Sequence, residues 1–163
     1  NGSTAYYLIP NGRGDWIRTD PRIDRTITTT PNQKHGEKLL PTVRLLKYWN
    51  MRTHKPRLAS YYFETLAFSY FRNALPIQSY PTAIRDFFEH GRISVLVSCP
   101  DPKNLGSALD ANVGRDIKDK VWDAMRQAAG LADEALRLDK AGKTREALAA
   151  WSRVFGSDFP AYG

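Results

Sequence analysis

Lys47 stands in the stretch Arg44-Leu-Leu-Lys-Tyr-Trp-Asn50, and Ser60-Tyr61-Tyr62 opens a second apolar stretch a short loop later. Projected on a helix, Leu39, Val43, Leu46 and Asn50 fall on one narrow stripe, with Lys47 at its margin. A lysine at the border of a buried stripe either snorkels to water or holds an anion in a cleft. If residues 53–57 join the two stretches as a helical hairpin, the start of the second helix lies near the end of the first. An ammonium, a hydroxyl, the open backbone N–H groups of a helix start and an aromatic face would then converge. That set suits a nucleoside triphosphate: cation and helix start for the phosphates, ring for the base. The competing reading buries Tyr61 in the core and makes Ser60 a cap, and both stand at this point.

Other chemistries find less support. His35, His54 and His90 are far apart, show no zinc-ligand spacing and read as surface histidines. Cys99, the single cysteine, excludes an internal disulfide framework, fits a reducing, cytoplasmic setting and has no nucleophile elbow around it; it reads as a structural thiol. Asn11-Gly-Arg-Gly14 leads into no helix and is not a phosphate-cradling loop of the Walker type. Arg13-Gly-Asp15 and the sequon Asn1-Gly-Ser3 read as coincidences. Metal-assisted phosphoryl transfer needs acids one residue apart on a strand, and no Asp-x-Asp occurs anywhere.

Charge sharpens the phosphate reading. Residues 1–60 hold 11 Lys and Arg against 4 Asp and Glu, whereas the remainder holds 13 of each sign. The whole +7 excess therefore lies in the first third. It is placed to face phosphates, or else forms a solvated basic surface that aids solubility. No apolar run spans a bilayer and no signal-peptide pattern opens the chain, so a membrane partner is not expected.

The elements that must position these groups read as follows. Residues 5–30 read as extended and irregular, with β-prone arms at 6–9 and 15–18 joined by a turn cluster at 10–14 and a β-branched run at 26–30. A helix is expected over about 38–52. Residues 58–72 are apolar around nearly the full circumference, the pattern of a buried central helix. A shorter helix is expected at 81–90, with Ser79 as cap and Gly91 as stop. Residues 92–98 alternate weakly, as a short strand or buried extended run, and 99–104 form a turn. A long helix over about 113–138 has Gly130 as its weak point, and a last helix at 144–155 ends at Gly156. Residues 138–155 look like half of a tetratricopeptide hairpin, without the second copy a solenoid needs.

Leu39–Asn50 ("LLPTVRLLKYWN") followed by Leu58–Phe68 ("LASYYFETLAF") resembles the C-terminal helical lobe of bacterial cGAS/DncV-like nucleotidyltransferases. It is also similar to the equivalent lobe of animal cGAS and oligoadenylate synthetases. Tyr6–Pro21 resembles the segment after that family's third catalytic strand. Asp101–Asn104 and Ala147–Pro160 resemble its late motifs. The resemblance implies a mainly α fold: a helical substrate-binding lobe of the oligoadenylate synthetase/poly(A) polymerase type with a small N-terminal β-hairpin. Residues 1–35 would continue from a catalytic core lying N-terminal to residue 1, and residues 36–163 would form the lobe. The implied enzyme joins nucleoside triphosphates into cyclic di- or oligonucleotide second messengers, often in anti-phage defence. It uses Mg²⁺ or Mn²⁺ held by Gly-Ser and Asp-x-Asp motifs outside this chain, and Gly2-Ser3 is not that motif. Carried over, Lys47 would contact the donor triphosphate, Ser60 would help bind its phosphates and Tyr61 would stack on a base. The family pattern has a histidine shortly after Thr19-Asp-Pro21 where this chain has Arg22-Ile-Asp24, so that loop is given no role. The alternative is a non-catalytic helical module whose basic first third binds nucleic acid.

Overall fold

The computed structural model describes residues 6–160 apart from residues 11, 13, 53 and 54, so Gly2-Ser3 and His54 lie outside the described residues. Two short strands, β1 (Tyr7–Pro10) and β2 (Trp16–Thr19), pair antiparallel with Tyr7 opposite Thr19 and Leu8 opposite Arg18. Gly12 and Gly14 take φ of 77° and 93° in the turn between them, a backbone region that side chains resist.

The next element differs from the expectation of extended chain. Residues 21–34 form a helix, α1 (Pro21–Lys34). Proline is preorganised for a first helical turn, and the Asp20 side chain caps it by accepting from the Arg22 backbone N–H at 3.0 Å. The β-branched run is no obstacle. Thr26 and Thr28 donate their hydroxyls back to the Arg22 and Arg25 carbonyls at 3.1 and 3.2 Å, which satisfies them within the helix.

His35 also departs from expectation: it is buried, 1% exposed, not a surface histidine. Its Nδ1 accepts from the Ile77 backbone N–H at 3.2 Å, which leaves Nε2–H to donate to the Phe71 carbonyl at 2.9 Å. The ring therefore ties the end of α1 to the segment of residues 71–77. Lys34 and Lys38 help. The Lys34 ammonium donates to the carbonyls of Arg72 and Ala74 and the Lys38 ammonium to that of Gln78, so part of the basic surplus holds down the segment of residues 72–78.

The core is built between α2 (Leu39–Arg52), α3 (Ser60–Asn73), α4 (Tyr80–His90), α5 (Arg115–Lys140) and α6 (Thr144–Phe155), the last contributing Ala150, Trp151, Val154 and Phe155. The stripe of α2 is buried as its spacing requires, and α3 buries Tyr62, Phe63, Leu66, Ala67, Phe68 and Phe71. Trp49 meets Phe88 with ring centroids 4.7 Å apart, and Phe63 meets Phe87 edge-on at 5.7 Å. Each such pair adds about 0.5–1.5 kcal/mol beyond its buried area. Ser79 caps α4 as expected, accepting from the Thr82 N–H at 3.4 Å.

Gly91 ends α4 as expected, though with φ of −68° and not in a left-handed turn. It is packed so closely on Phe87 that a Cβ would lie 2.7 Å from the ring, and the chain continues as a 3₁₀ helix, Gly91–Leu96. The expected strand at 92–98 is thus corrected. Its alternation was weak, and burying Val95 while exposing Ile93 and Val97 suits a tight helical turn equally well. By contrast α5 runs unbroken through Gly130, which has open space around it. Gly142, at φ 74°, turns the chain into α6 (Thr144–Phe155), and Gly156 ends it at φ 86°. Among the described residues no helix is long and apolar enough to cross a membrane.

Candidate functional site

Asn50 sets the geometry of the α2–α3 connection. Its fully buried amide accepts from the Leu58 N–H at 3.1 Å and donates to the Leu58 carbonyl at 2.9 Å. Both open backbone groups of that residue are satisfied by one side chain at the end of α2. The returning chain is thereby fixed, and α3 starts two residues later at Ser60.

Ser60 is not the cap that the competing reading made it. The capping position is Ala59, which has no side chain able to cap, and Ser60 is the first residue inside the helix. Lys47 reaches α3 one turn further on: its ammonium donates to Glu64 Oε2 at 2.5 Å, with the two side chains 33% and 29% exposed. Ser60 and Glu64 lie four residues apart, on one side of α3. The structure thus brings Lys47 and the first turns of α3 together, with a carboxylate between them that the spacing analysis passed over.

Tyr61 and Tyr62, adjacent in sequence, have opposite fates. Tyr62 is core, 1% exposed, whereas Tyr61 is 40% exposed and forms a wall common to two clefts. The smaller, of about 220 Å³, lies between α1, α3 and the loop at Pro102, with Ile27, Phe68, Glu64 and Arg72 among its lining. The larger, of about 530 Å³, opens between the hairpin and the loop of residues 99–109, with Trp16, Arg18, Asp101 and Lys103 around Tyr61. Lys47 and Ser60 do not line either one; Lys47 bears on the smaller cleft through Glu64.

Lys103, which no spacing pattern marks, also belongs to this site. Its ammonium lies 5.4 Å from the centroid of the Tyr61 ring and donates to Thr19 Oγ1 at 3.1 Å. The turn Asp101-Pro-Lys-Asn104 carried the signal. Asp101 accepts from the N–H groups of Lys103 and Leu105, both at 3.1 Å, and Asn104 sits at φ 54°, so the lysine is projected from a tightly wound loop. A cation above an exposed ring, with a second cation, Arg18, in the same cleft, matches the chemistry of an anionic ligand carrying a flat base. Cys99 is buried, and desolvation beside Asp110 pushes its thiol up to about 11, as befits a structural cysteine. Among the described residues no group of three or more His, Cys, Asp or Glu side chains could hold a metal ion. The donor set for the implied divalent metal does not fit here.

Over 161 residues and 97% of its length, the chain is 35% identical to a probable cyclic nucleotide synthase of Bacillus cereus. The chain is related to the bacterial cGAS/DncV-like nucleotidyltransferases. It spans about half the length of that curated relative, 47%. Solved structures share the fold: E. coli CdnC with ATP aligns at a TM-score of 0.78 and 21% identity, covering 99% of this chain and 58% of that one. CdnC in a complex with HORMA-deltaN aligns at 0.73 and 21%, covering 91% and 54%. A mutant of the Vibrio cholerae di-nucleotide cyclase DncV, in complex with ATP and GTP, aligns at 0.71 and 14%, covering 93% and 40%. No family model matches the chain. The mainly helical architecture with its small hairpin is therefore that of cGAS/DncV-like nucleotidyltransferases.

Proposed function

We propose that this chain is the nucleotide-binding C-terminal helical lobe of a nucleotidyltransferase that makes cyclic di- or oligonucleotide second messengers from nucleoside triphosphates, in anti-phage defence. The observation that carries the proposal is Tyr61: an exposed ring shared by two clefts, with the Lys103 ammonium over it and the Lys47–Glu64 pair one turn along the same helix. Relatives named as a cyclic nucleotide synthase and a di-nucleotide cyclase support the reaction class, and two of the solved neighbours contain ATP.

In this reading the lobe binds and orients. Tyr61 stacks on a base, Ser60 offers a hydroxyl to the phosphates, and Lys47 neutralises their charge. Lys47 leaves Glu64 to do so. A pair that is about a third exposed is worth only about 0–1 kcal/mol, while an ammonium bonded to phosphate gains a charge-assisted contact. A ribose hydroxyl then attacks the α-phosphate and pyrophosphate leaves. The groups that activate that hydroxyl, with Mg²⁺ or Mn²⁺, belong to a separate nucleotidyltransferase core. The hairpin suits contact with that core, since Tyr7, Leu8, Ile9 and Trp16 are 42–63% exposed and leave an apolar surface uncovered.

The test is binding of ATP and of single-stranded oligonucleotides by the same protein across a salt series. Saturable ATP binding with weak oligonucleotide binding is expected. Sub-micromolar oligonucleotide affinity with a steep salt slope would instead make the chain a nucleic-acid-binding module.

A further inference from the structure

The loop of residues 98–110 carries Lys103, and its base is closed by an ion pair that the nucleotide reading does not use. Lys118, on the first turns of α5, donates to Asp110 Oδ2 at 2.6 Å, and the two side chains are only 11% and 9% exposed. The other oxygen, Asp110 Oδ1, accepts from the Cys99 backbone N–H at 2.8 Å and from the Ser98 hydroxyl at 3.5 Å. The Leu109 N–H completes the ring by donating to the Cys99 carbonyl at 2.8 Å. Both ends of the loop are thus held by one carboxylate, and that carboxylate is held by one lysine of the longest helix. Beyond this closure the chain winds through the Asp101 turn and delivers the Lys103 ammonium to Thr19 and Tyr61.

We propose that the Asp110–Lys118 pair is a positioning clamp that anchors the 98–110 loop to α5 and thereby holds Lys103 over the Tyr61 ring for ligand binding. A buried ion pair adds little stability over an apolar pair of the same shape, yet removing one partner strands a charge. It is therefore better suited to fixing one geometry than to strengthening the core. The link to ligand rests on the nucleotide reading above; the clamp itself does not.

Cys99 supplies a probe that needs no ligand, because it lies under the clamped end of the loop and is the only cysteine in the chain. The experiment compares labelling of Cys99 by the uncharged reagent N-ethylmaleimide in the wild type, Lys118→Met and Val154→Ala. The last is a core variant on α6, outside the loop and its ion pair, that reports general destabilisation. Circular dichroism verifies that each is folded. Lys118→Met is expected to raise the labelling rate at least tenfold above Val154→Ala. Loss of the nearby cation would by itself push the thiol further up and slow labelling, so a faster rate can only report opening.

The second arm measures ATP affinity in the complete enzyme for Lys118→Met, Lys103→Ala and the double variant. Lys118→Met should weaken binding about as much as Lys103→Ala, roughly three- to tenfold, with no added loss in the double variant. Labelling no faster than in Val154→Ala would overturn the clamp. Faster labelling with additive losses would overturn its action through Lys103. Absence of ATP binding by the wild type would overturn the nucleotide reading, while the labelling comparison still decides the clamp.

Discussion

At the scale of single residues, Tyr61 stands outside the core while its neighbour Tyr62 is inside it. Adjacent helical positions point about 100° apart, so one aromatic can fill the interior and the next can face a cleft. Tyr61→Ala should weaken nucleotide binding by about 1–3 kcal/mol, the worth of one stacked base, and Tyr61→Phe should retain most of it. Titration of ATP into both variants checks this, and equal losses would show that the hydroxyl, not the ring, matters. Lys47 was legible from its place at the edge of a buried stripe. Its partner Glu64 was not, because that contact joins residues 17 positions apart through folding that no local pattern encodes; for Lys103 the Asp101 turn was readable, but its reach to Tyr61, 42 positions away, was not.

At the scale of elements, periodicity and punctuation located α2, α3, α4, α5 and α6 within a few residues, because each has a continuous apolar face and a Gly, Ser or loop boundary. Two readings failed where local propensity was overridden. Threonines at 26–30 favour a strand in isolation, but the Asp20 cap, Pro21 and back-bonded hydroxyls make a helix. The weak alternation of 92–98 carried no such resistance and was wound into 3₁₀ geometry behind Gly91. The α2–α3 hairpin depends on Asn50 more than on its loop. Asn50→Ala strands both backbone groups of Leu58, so it should cost about 1–3 kcal/mol per unsatisfied group, against near neutrality for Met51→Ala on the exposed side. Urea unfolding followed by tryptophan fluorescence measures the difference.

At the scale of the whole molecule, several carboxylates are held low by fixed cations. The Lys118 hydrogen bond lowers Asp110, while Arg22 and Arg92 act likewise on Asp20 and Glu89. Groups whose folded pKa is depressed stabilise fully above the unfolded value, near 4, and that contribution is lost as pH falls through the folded value. The contribution of these carboxylates should therefore be constant from about pH 7 to 5, and thermal stability should fall below about pH 4. In Asp110→Asn the fall should be shallower, as differential scanning calorimetry would show.

Function divides at the same scale. The described residues supply a cationic, aromatic cleft; in the proposed reading the groups that activate the attacking hydroxyl belong to a separate core, so this chain by itself is expected to form no product from nucleoside triphosphates with Mg²⁺ or Mn²⁺. Product in a clean assay would show that the chemistry resides here after all. The central claim is that Lys47 serves the triphosphate, and the most direct measurement is steady-state kinetics of Lys47→Ala in the complete enzyme. The expected result is a rise in apparent nucleotide KM or a fall in turnover of more than about tenfold, consistent with losing one charge-assisted phosphate contact. Kinetics equal to wild type would contradict it.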